Sequence, residues 1–204
     1  MRLRIALLAA AMLATFPPAA GAAPRVTFVG DSVPASLSYV PAARAALARG
    51  LRVRFDLRVC RRLVAPSCPY QGSTPPTALQ AVRALGTRVG DVLVVDVGYN
   101  DSAAGYGSGM RRVVRAARAQ GVRAVVWVTL RQAGRYRSEY VRADAAIRAE
   151  AARWGRRVLV ADWNAYSAGR TFFAQDGLHL GAAGAMSLAR FLRGRILTAA
   201  ARTR

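Results

Sequence analysis

Two hydrophobic periodicities alternate along most of this chain, and that alternation constrains its fold more than any other feature. Strand-like apolar runs occupy residues 25–30, 52–59, 91–97, 122–130 and 157–161, where short stretches rich in valine and leucine are bounded by turn residues. Between and after them, helical spacing covers about 35–49, 77–85, 109–120, 138–154 and 182–197. Gly50, Gly86, Gly121 and Gly155 each stand just past a helical segment, where a left-handed cap favours glycine. Strand and helix repeated five times imply a parallel sheet with both faces covered. The expected fold is therefore α/β: one three-layer doubly wound domain, its five-stranded parallel sheet in flavodoxin-like order 2-1-3-4-5. No internal repeat, linker or second domain interrupts the pattern. With 204 residues, 53% of them hydrophobic, one core can form without disulfide or metal staples.

The first 22 residues read differently. Arg2 and Arg4 precede an apolar run from Ile5 to Phe16, then Pro17-Pro18 and the small residues Ala19-Ala20-Gly21-Ala22-Ala23. This is the pattern of a secretory signal peptide. The run is shorter than the roughly 20 residues that span a bilayer, so no stable membrane span is expected after cleavage. Cutting after Ala22 leaves a mature domain at 23–204 with 29 basic and 10 acidic residues, a net of +19, against +21 for the whole chain. Every basic residue other than the single histidine is arginine. An exported chain this basic is expected to meet anionic cell-envelope polymers, lipid headgroups or acidic glycans. Nucleic acid is not expected, because no arginine run exceeds two and no aromatic-interleaved basic stripe is present. One histidine and two cysteines also argue against a metal site of the many-ligand kind.

In a doubly wound sheet, chemistry gathers outside the carboxyl ends of the strands, where the strand order reverses. Strand one ends in Gly30-Asp31-Ser32, strand three in Gly98-Tyr99-Asn100-Asp101, and the segment before the last helix carries Asp176-Gly177-Leu178-His179. Each has an ordinary reading. Asp31 and Ser32 suit a helix cap with Pro34 in the first turn, Asn100-Asp101 and Asp176-Gly177 suit turns, and a lone histidine is commonly packed or solvated. Those readings do not account for all of them lying on one rim. Together they supply acyl-transfer chemistry: a Ser32 hydroxyl, the His179 imidazole to take its proton, and the Asp176 carboxylate to orient the ring. Backbone N–H of Ser32 and the Asn100 amide suit an oxyanion hole.

At these residues the sequence resembles the SGNH hydrolases, also called GDSL-type esterases and lipases. Gly30-Asp31-Ser32 matches the nucleophile block, Gly98-Tyr99-Asn100-Asp101 the G-x-N-D block, and Asp176-Gly177-Leu178-His179 the D-x-x-H block. The resemblance spans essentially the mature chain. It implies a flavodoxin-like fold, Ser32 as nucleophile, His179 as base, Asp176 as its orienter, Asn100 as an oxyanion donor, and neither metal nor cofactor. Asp31, Gly98 and Asp101 match supporting positions that brace the site. The family usually places a glycine after strand two as a further oxyanion donor, but here the chain reads Val59-Cys60-Arg61-Arg62. Cys60 stands at the glycine position, with Gly72 a lower-ranked alternative. A Cys60–Cys68 disulfide, as expected of two cysteines in an exported chain, is one means of holding the Cys60 turn; two free buried thiols are the alternative.

Tyr99, Arg61, Arg131 and Trp163 are candidate pocket residues because they fall near strand ends, as do Arg62, Trp127 and Tyr166. Core packing accounts equally well for the aromatics, and solvent exposure for the arginines. Asp96 in strand three needs partners if buried. The resulting expectation is an exported serine esterase cleaving short acyl, chiefly acetyl, esters on a glycan, with lipid esters second. Two rivals remain: an O-acyltransferase using the same three residues with a sugar hydroxyl as acceptor, and a non-catalytic cationic wall-binding module.

Overall fold

The computed structural model describes residues 22–203, so the expected leader at 1–22 lies outside the described residues apart from Ala22. Five parallel strands, β1 (Arg25–Gly30), β2 (Arg52–Leu57), β3 (Val92–Asp96), β4 (Ala124–Val128) and β5 (Val158–Ala161), hydrogen-bond in the order β2-β1-β3-β4-β5. The register sets Gly30 beside Leu57 on one side and Asp96 on the other. The ends of β1, β2 and β3 therefore share one rim.

Strands alternate their side chains between two faces, and the two sets make two cores. Val26, Phe28, Val94 and Val126 pack with helices α1 (Pro41–Ala48) and α6 (Ala182–Ala201). Val29, Leu93, Val95 and Trp127 pack with α2 (Ala78–Leu85), α3 (Tyr106–Ala119) and α4 (Arg137–Trp154) on the opposite face. Strands β3 and β4 are buried along their whole length, which is why they read as unbroken apolar runs. Edge strand β2 alternates instead, with Arg52 and Arg54 exposed, and charge on an exposed edge discourages further strand pairing.

The helical segment expected at 35–49 is two pieces, a 3-10 turn at Pro34–Tyr39 and α1 from Pro41. Pro41 disfavours helical backbone at the residue before it, and Val40 accordingly sits at φ −128°, ψ 83°. Helix α3 starts three residues before its expected first residue. Its Tyr106 is buried and donates its hydroxyl to the Val97 carbonyl, which anchors the extra turn. A short helix, α5 (Trp163–Ser167), was not anticipated; Asp162 caps it by accepting from Ala165 N–H at 3.2 Å. Helix α2 begins with a reciprocal capping box between Thr77 and Gln80. Gly50, Gly86, Gly121 and Gly155 all have positive φ, as their positions after helices require. Among the described residues, no helix is long and apolar enough to cross a membrane.

Helix α6 contains a natural pair of tests. A Cβ on Gly184 would lie 2.2 Å from the Phe172 carbonyl oxygen, whereas one on Gly194 would meet nothing within 4 Å. Gly184→Ala should destabilise the domain by about 1–3 kcal/mol through overpacking, and Gly194→Ala should stabilise it by about 0.5–1 kcal/mol through helix propensity. Urea denaturation of the two variants checks both signs.

Candidate active site

The rim is built around a buried carboxylate. After β1, Gly30 is required by space, since a Cβ would come within 2.5 Å of Pro34 and 2.7 Å of Leu57. Asp31 then turns inward and is fully buried. It accepts hydrogen bonds from the N–H groups of Val33 (3.1 Å), Gly98 (2.9 Å) and Tyr99 (3.0 Å). One side chain thus ties the turn after β1 to the turn after β3. Burial pushes its carboxyl up to about 6, against the pull of those three N–H groups. Gly98 is also held by space, with Leu130 and Tyr106 each 2.9 Å from where a Cβ would stand.

Ser32 follows Asp31 and faces outward. Its Oγ lies 3.1 Å from His179 Nε2, and His179 Nδ1 lies 2.5 Å from Asp176 Oδ2. The other Asp176 oxygen accepts the N–H groups of Leu178 (2.9 Å) and His179 (3.0 Å), so the carboxylate is fixed by its own turn. Partial burial disfavours its ionisation, but the bonds from the His179 ring and the two N–H groups outweigh that and hold the carboxyl below its usual range. Leu180 N–H donates to Ser36 Oγ at 3.3 Å, which fastens the histidine loop to the 3-10 turn behind Ser32. Both His179 and Asp176 side chains are nearly half exposed, so the relay opens to solvent.

A second latch joins the loop after β2 to the Asn100 turn. Asn100 Nδ2 donates to the Arg61 carbonyl at 3.3 Å, Arg62 Nε donates to the Asn100 carbonyl at 2.6 Å, and Leu63 N–H donates to both oxygens of Asp101. Burial raises Asp101 to about 6, opposed by the Leu63 N–H and the Arg62 charge. In that loop Cys60 has φ +65°, the left-handed conformation that glycine adopts without cost. A Cys60–Cys68 disulfide closes the loop, and Cys68 N–H donates to the Cys60 carbonyl at 3.3 Å. Among the described residues the Cys60 N–H has no hydrogen-bond acceptor. Gly72 also has positive φ, but it lies beyond Cys68, outside the disulfide loop.

Several expected pocket residues lie elsewhere. Arg61 is wholly buried: it donates to the carbonyls of Asp56 (2.5 Å) and Pro76 (3.0 Å) and pairs with the Asp56 carboxylate at 3.0 Å. It is a strut under the β2 loop, unable to reach a substrate. Trp163 and Trp127 are fully buried. Trp163 stacks on Phe172 and Tyr166 in the first core, and Trp127 packs edge-on with Tyr106 in the second. Arg131 lays its guanidinium 4.8 Å over the Phe173 ring, and its N–H donates to the Tyr99 hydroxyl at 2.7 Å. Of the expected set, only Tyr99 and the neighbouring Arg62 line a cavity of about 570 Å³ beside Asn100.

Residues that sequence reasoning passed over complete that cavity: Ser102, Arg135, Tyr136, Glu139 and Tyr140. Their only local signal was an arginine-tyrosine dipeptide before a helix. Asp144 was missed as well; it accepts from Leu130 N–H (2.8 Å) and Gln132 Nε2 (2.9 Å), fixing the loop after β4. Asp96 is buried, and one of its carboxylate oxygens has no partner among the described residues. Burial, then the nearby Asp31 and Asp144 carboxylates, push its carboxyl well above the usual carboxylate range.

This geometry is able to move a proton from the Ser32 hydroxyl to His179 while Asp176 stabilises the ring's cation. Several solved structures share the fold. The C-terminal catalytic domain of a peptidoglycan O-acetyltransferase from Streptococcus pneumoniae is 19% identical, with 88% of this chain and 93% of that one covered at a TM-score of 0.59. A carbohydrate acetylesterase family member from Sinorhizobium meliloti is 17% identical, covering 87% and 99% at 0.64. A carbohydrate esterase family 3 structure from Talaromyces cellulolyticus is 16% identical, covering 89% and 100% at 0.60. No protein-family model matches the sequence, and no curated protein does.

The buried carboxyls set an unusual pH dependence of stability. Asp31, Asp101 and Asp144 each rise from 3.8 to about 6, so the folded chain holds these protons more tightly than the unfolded one. Stability should therefore fall as pH rises from about 4 through about 6, and the buried Asp96, raised further in the same direction, extends the fall above that. The lowered groups, such as Asp176, act below that window. Urea midpoints at pH 4 and pH 7 should show the decline, and Asp31→Asn should make it shallower.

Proposed function

We propose that this chain, which has the SGNH-hydrolase fold, is an exported serine esterase that removes short acyl groups, chiefly acetyl, from a carbohydrate. The observation that carries the reading is the hydrogen-bonded chain from Ser32 Oγ through His179 to Asp176. Two segments 147 residues apart converge to make it, at the rim where a doubly wound sheet binds ligands.

In the proposed reaction, Ser32 Oγ attacks the ester carbonyl carbon as its proton passes to His179 Nε2. The oxyanion forms between the N–H groups of Ser32 and Cys60 and the Asn100 side-chain amide. Asn100 Nδ2 carries two hydrogens and spends one on the Arg61 carbonyl, leaving the other for the oxyanion. The C–O bond to the alcohol then breaks as His179 returns the proton to the departing oxygen. Water attacks the acyl-Ser32 ester by the same route, giving the free acid and Ser32–OH. Asp176 stays ionised throughout and holds Nδ1–H. The disulfide suits an oxidising compartment, which supports export. The sugar ester as substrate draws support from the likeness to carbohydrate esterase folds.

The likeness to an O-acetyltransferase domain supports a second reading, in which a sugar hydroxyl replaces water in the last step. The same residues serve both, and product analysis with an added glycan acceptor separates them. The wall-binding module has less support, because binding needs no serine-imidazole-carboxylate relay.

Turnover of p-nitrophenyl acetate should be measurable, and Ser32→Ala should lower kcat by about 10⁴-fold or more. A phosphonate ester should label Ser32 stoichiometrically; a folded wild type with neither turnover nor labelling would sink the reading. Reduction of the Cys60–Cys68 bridge should lower kcat by about 10-fold to 100-fold, because Cys60 is then free to leave the left-handed region and withdraw its N–H from the oxyanion. The double variant Cys60→Gly with Cys68→Ser should lose that sensitivity to reductant.

A further inference from the structure

The cavity beside Asn100 is not explained by an acetyl group. Its volume, about 570 Å³, is that of a whole small-ligand pocket, and an acetyl group fills a small part of it. A long acyl chain would need apolar walls, but this lining is polar and aromatic. Tyr99 and Tyr140 meet edge-to-face at 5.2 Å on one side. Tyr136, also in the lining, is 48% exposed and carries the Arg135 guanidinium 4.5 Å over its ring.

The cavity also adjoins the turn that carries the relay's histidine and aspartate. The loop before α4 packs on the turn that carries His179: a Cβ on Gly134 would lie 3.5 Å from the Asp176 carbonyl oxygen, and one on Gly177 would lie 3.5 Å from the Ala133 side chain. Arg135 follows directly. Asn100, the proposed oxyanion donor, lines the same cavity. A ligand held here is therefore next to the ester that Ser32 attacks.

The charges in the cavity are unequal in their commitments. Glu139 is engaged by Arg142 and by Ala103 N–H. Asp101 receives Leu63 N–H on both oxygens and is partly balanced by Arg62. Arg62 spends its Nε and Nη1 on backbone carbonyls and keeps Nη2 without a partner among the described residues. Arg135 makes no ion pair or hydrogen bond among them; its neighbour is the Tyr136 ring. The uncommitted donors are thus cationic, and guanidinium suits a planar carboxylate.

We propose, on the premise of the esterase reading, that this cavity binds the alcohol half of the substrate and that this half is an acidic sugar. Its carboxylate pairs with Arg135 and the free edge of Arg62, while its ring packs against Tyr136 and Tyr99. The site then selects acylated polyuronate-type glycans over neutral ones. The net charge of +21 for the chain draws such a polyanion to the surface, and the two cavity arginines give the selectivity.

The test compares release of acetate from acetylated polygalacturonate and from acetylated xylan, which lacks the carboxylate on each backbone sugar, at low and high salt. The charged substrate should show a kcat/KM at least tenfold higher. Arg135→Gln should cut that ratio about fivefold to tenfold, through KM on the charged substrate. Arg83→Gln, on the remote surface of α2, should leave the ratio unchanged and so separates the cavity from the general field. Equal rates on the two polymers, or a ratio that Arg135→Gln and Arg83→Gln alter alike, would overturn the inference while Ser32-dependent p-nitrophenyl acetate turnover stands. Absence of that turnover overturns the esterase reading and this inference with it.

Discussion

The buried carboxylate of Asp31 is the constraint on which the rest of the site depends. Three backbone N–H groups from two loops converge on it, and without an acceptor they would be buried unsatisfied. Its position fixes the turn that presents Ser32 and the turn that presents Tyr99 and Asn100, so nucleophile and amide are held by one group. Burial raises its carboxyl to about 6, which makes this bracing costly in the ionised form. The cost is tolerable because the two strands it joins, β1 and β3, are already neighbours in the sheet.

Around that anchor the rim is closed by struts that touch no substrate. Arg61 runs beneath the β2 loop and satisfies carbonyls from both β2 and the Pro76 segment. Asp101 catches Leu63 N–H, and the disulfide closes the loop from Cys60 to Cys68 that carries Leu63. The left-handed backbone at Cys60 costs a non-glycine residue roughly 1–2 kcal/mol. A covalent cross-link opposes relaxation of that turn, which is how a cysteine stands where an unconstrained loop would favour glycine.

Much of this was legible in the chain itself. Five strands and most of the helices between them follow from periodicity and from glycine placement, because those signals are local, whereas the strand order came with the family resemblance. The Asp176–His179 contact was legible for the same reason: the two are three residues apart, and one Asp-Gly turn brings them together. The residues misplaced by sequence reasoning fail for the opposite reason. Arg61 and Trp163 stand at strand ends as a pocket residue would, yet neighbours from Pro76, Phe172 and Phe191 bury them. Arg135, Tyr136 and Tyr140 gave no motif, since a cavity wall is defined by what faces it.

The sequence alone determined which segments are strands and helices, that the sheet is parallel, and which serine, histidine and aspartate stand at element ends. Those properties depend on hydrophobic spacing and on backbone preferences within a few residues. Tertiary structure decided that Ser32 and His179, 147 residues apart, come within 3.1 Å. It also decided that Asp96 is a buried acid with its carboxyl raised, that Arg61 is a strut, and that Arg135 lacks a partner among the described residues. Burial and pairing are set by elements distant in the chain, so side-chain charge, exposure and reach are settled only when the layers pack.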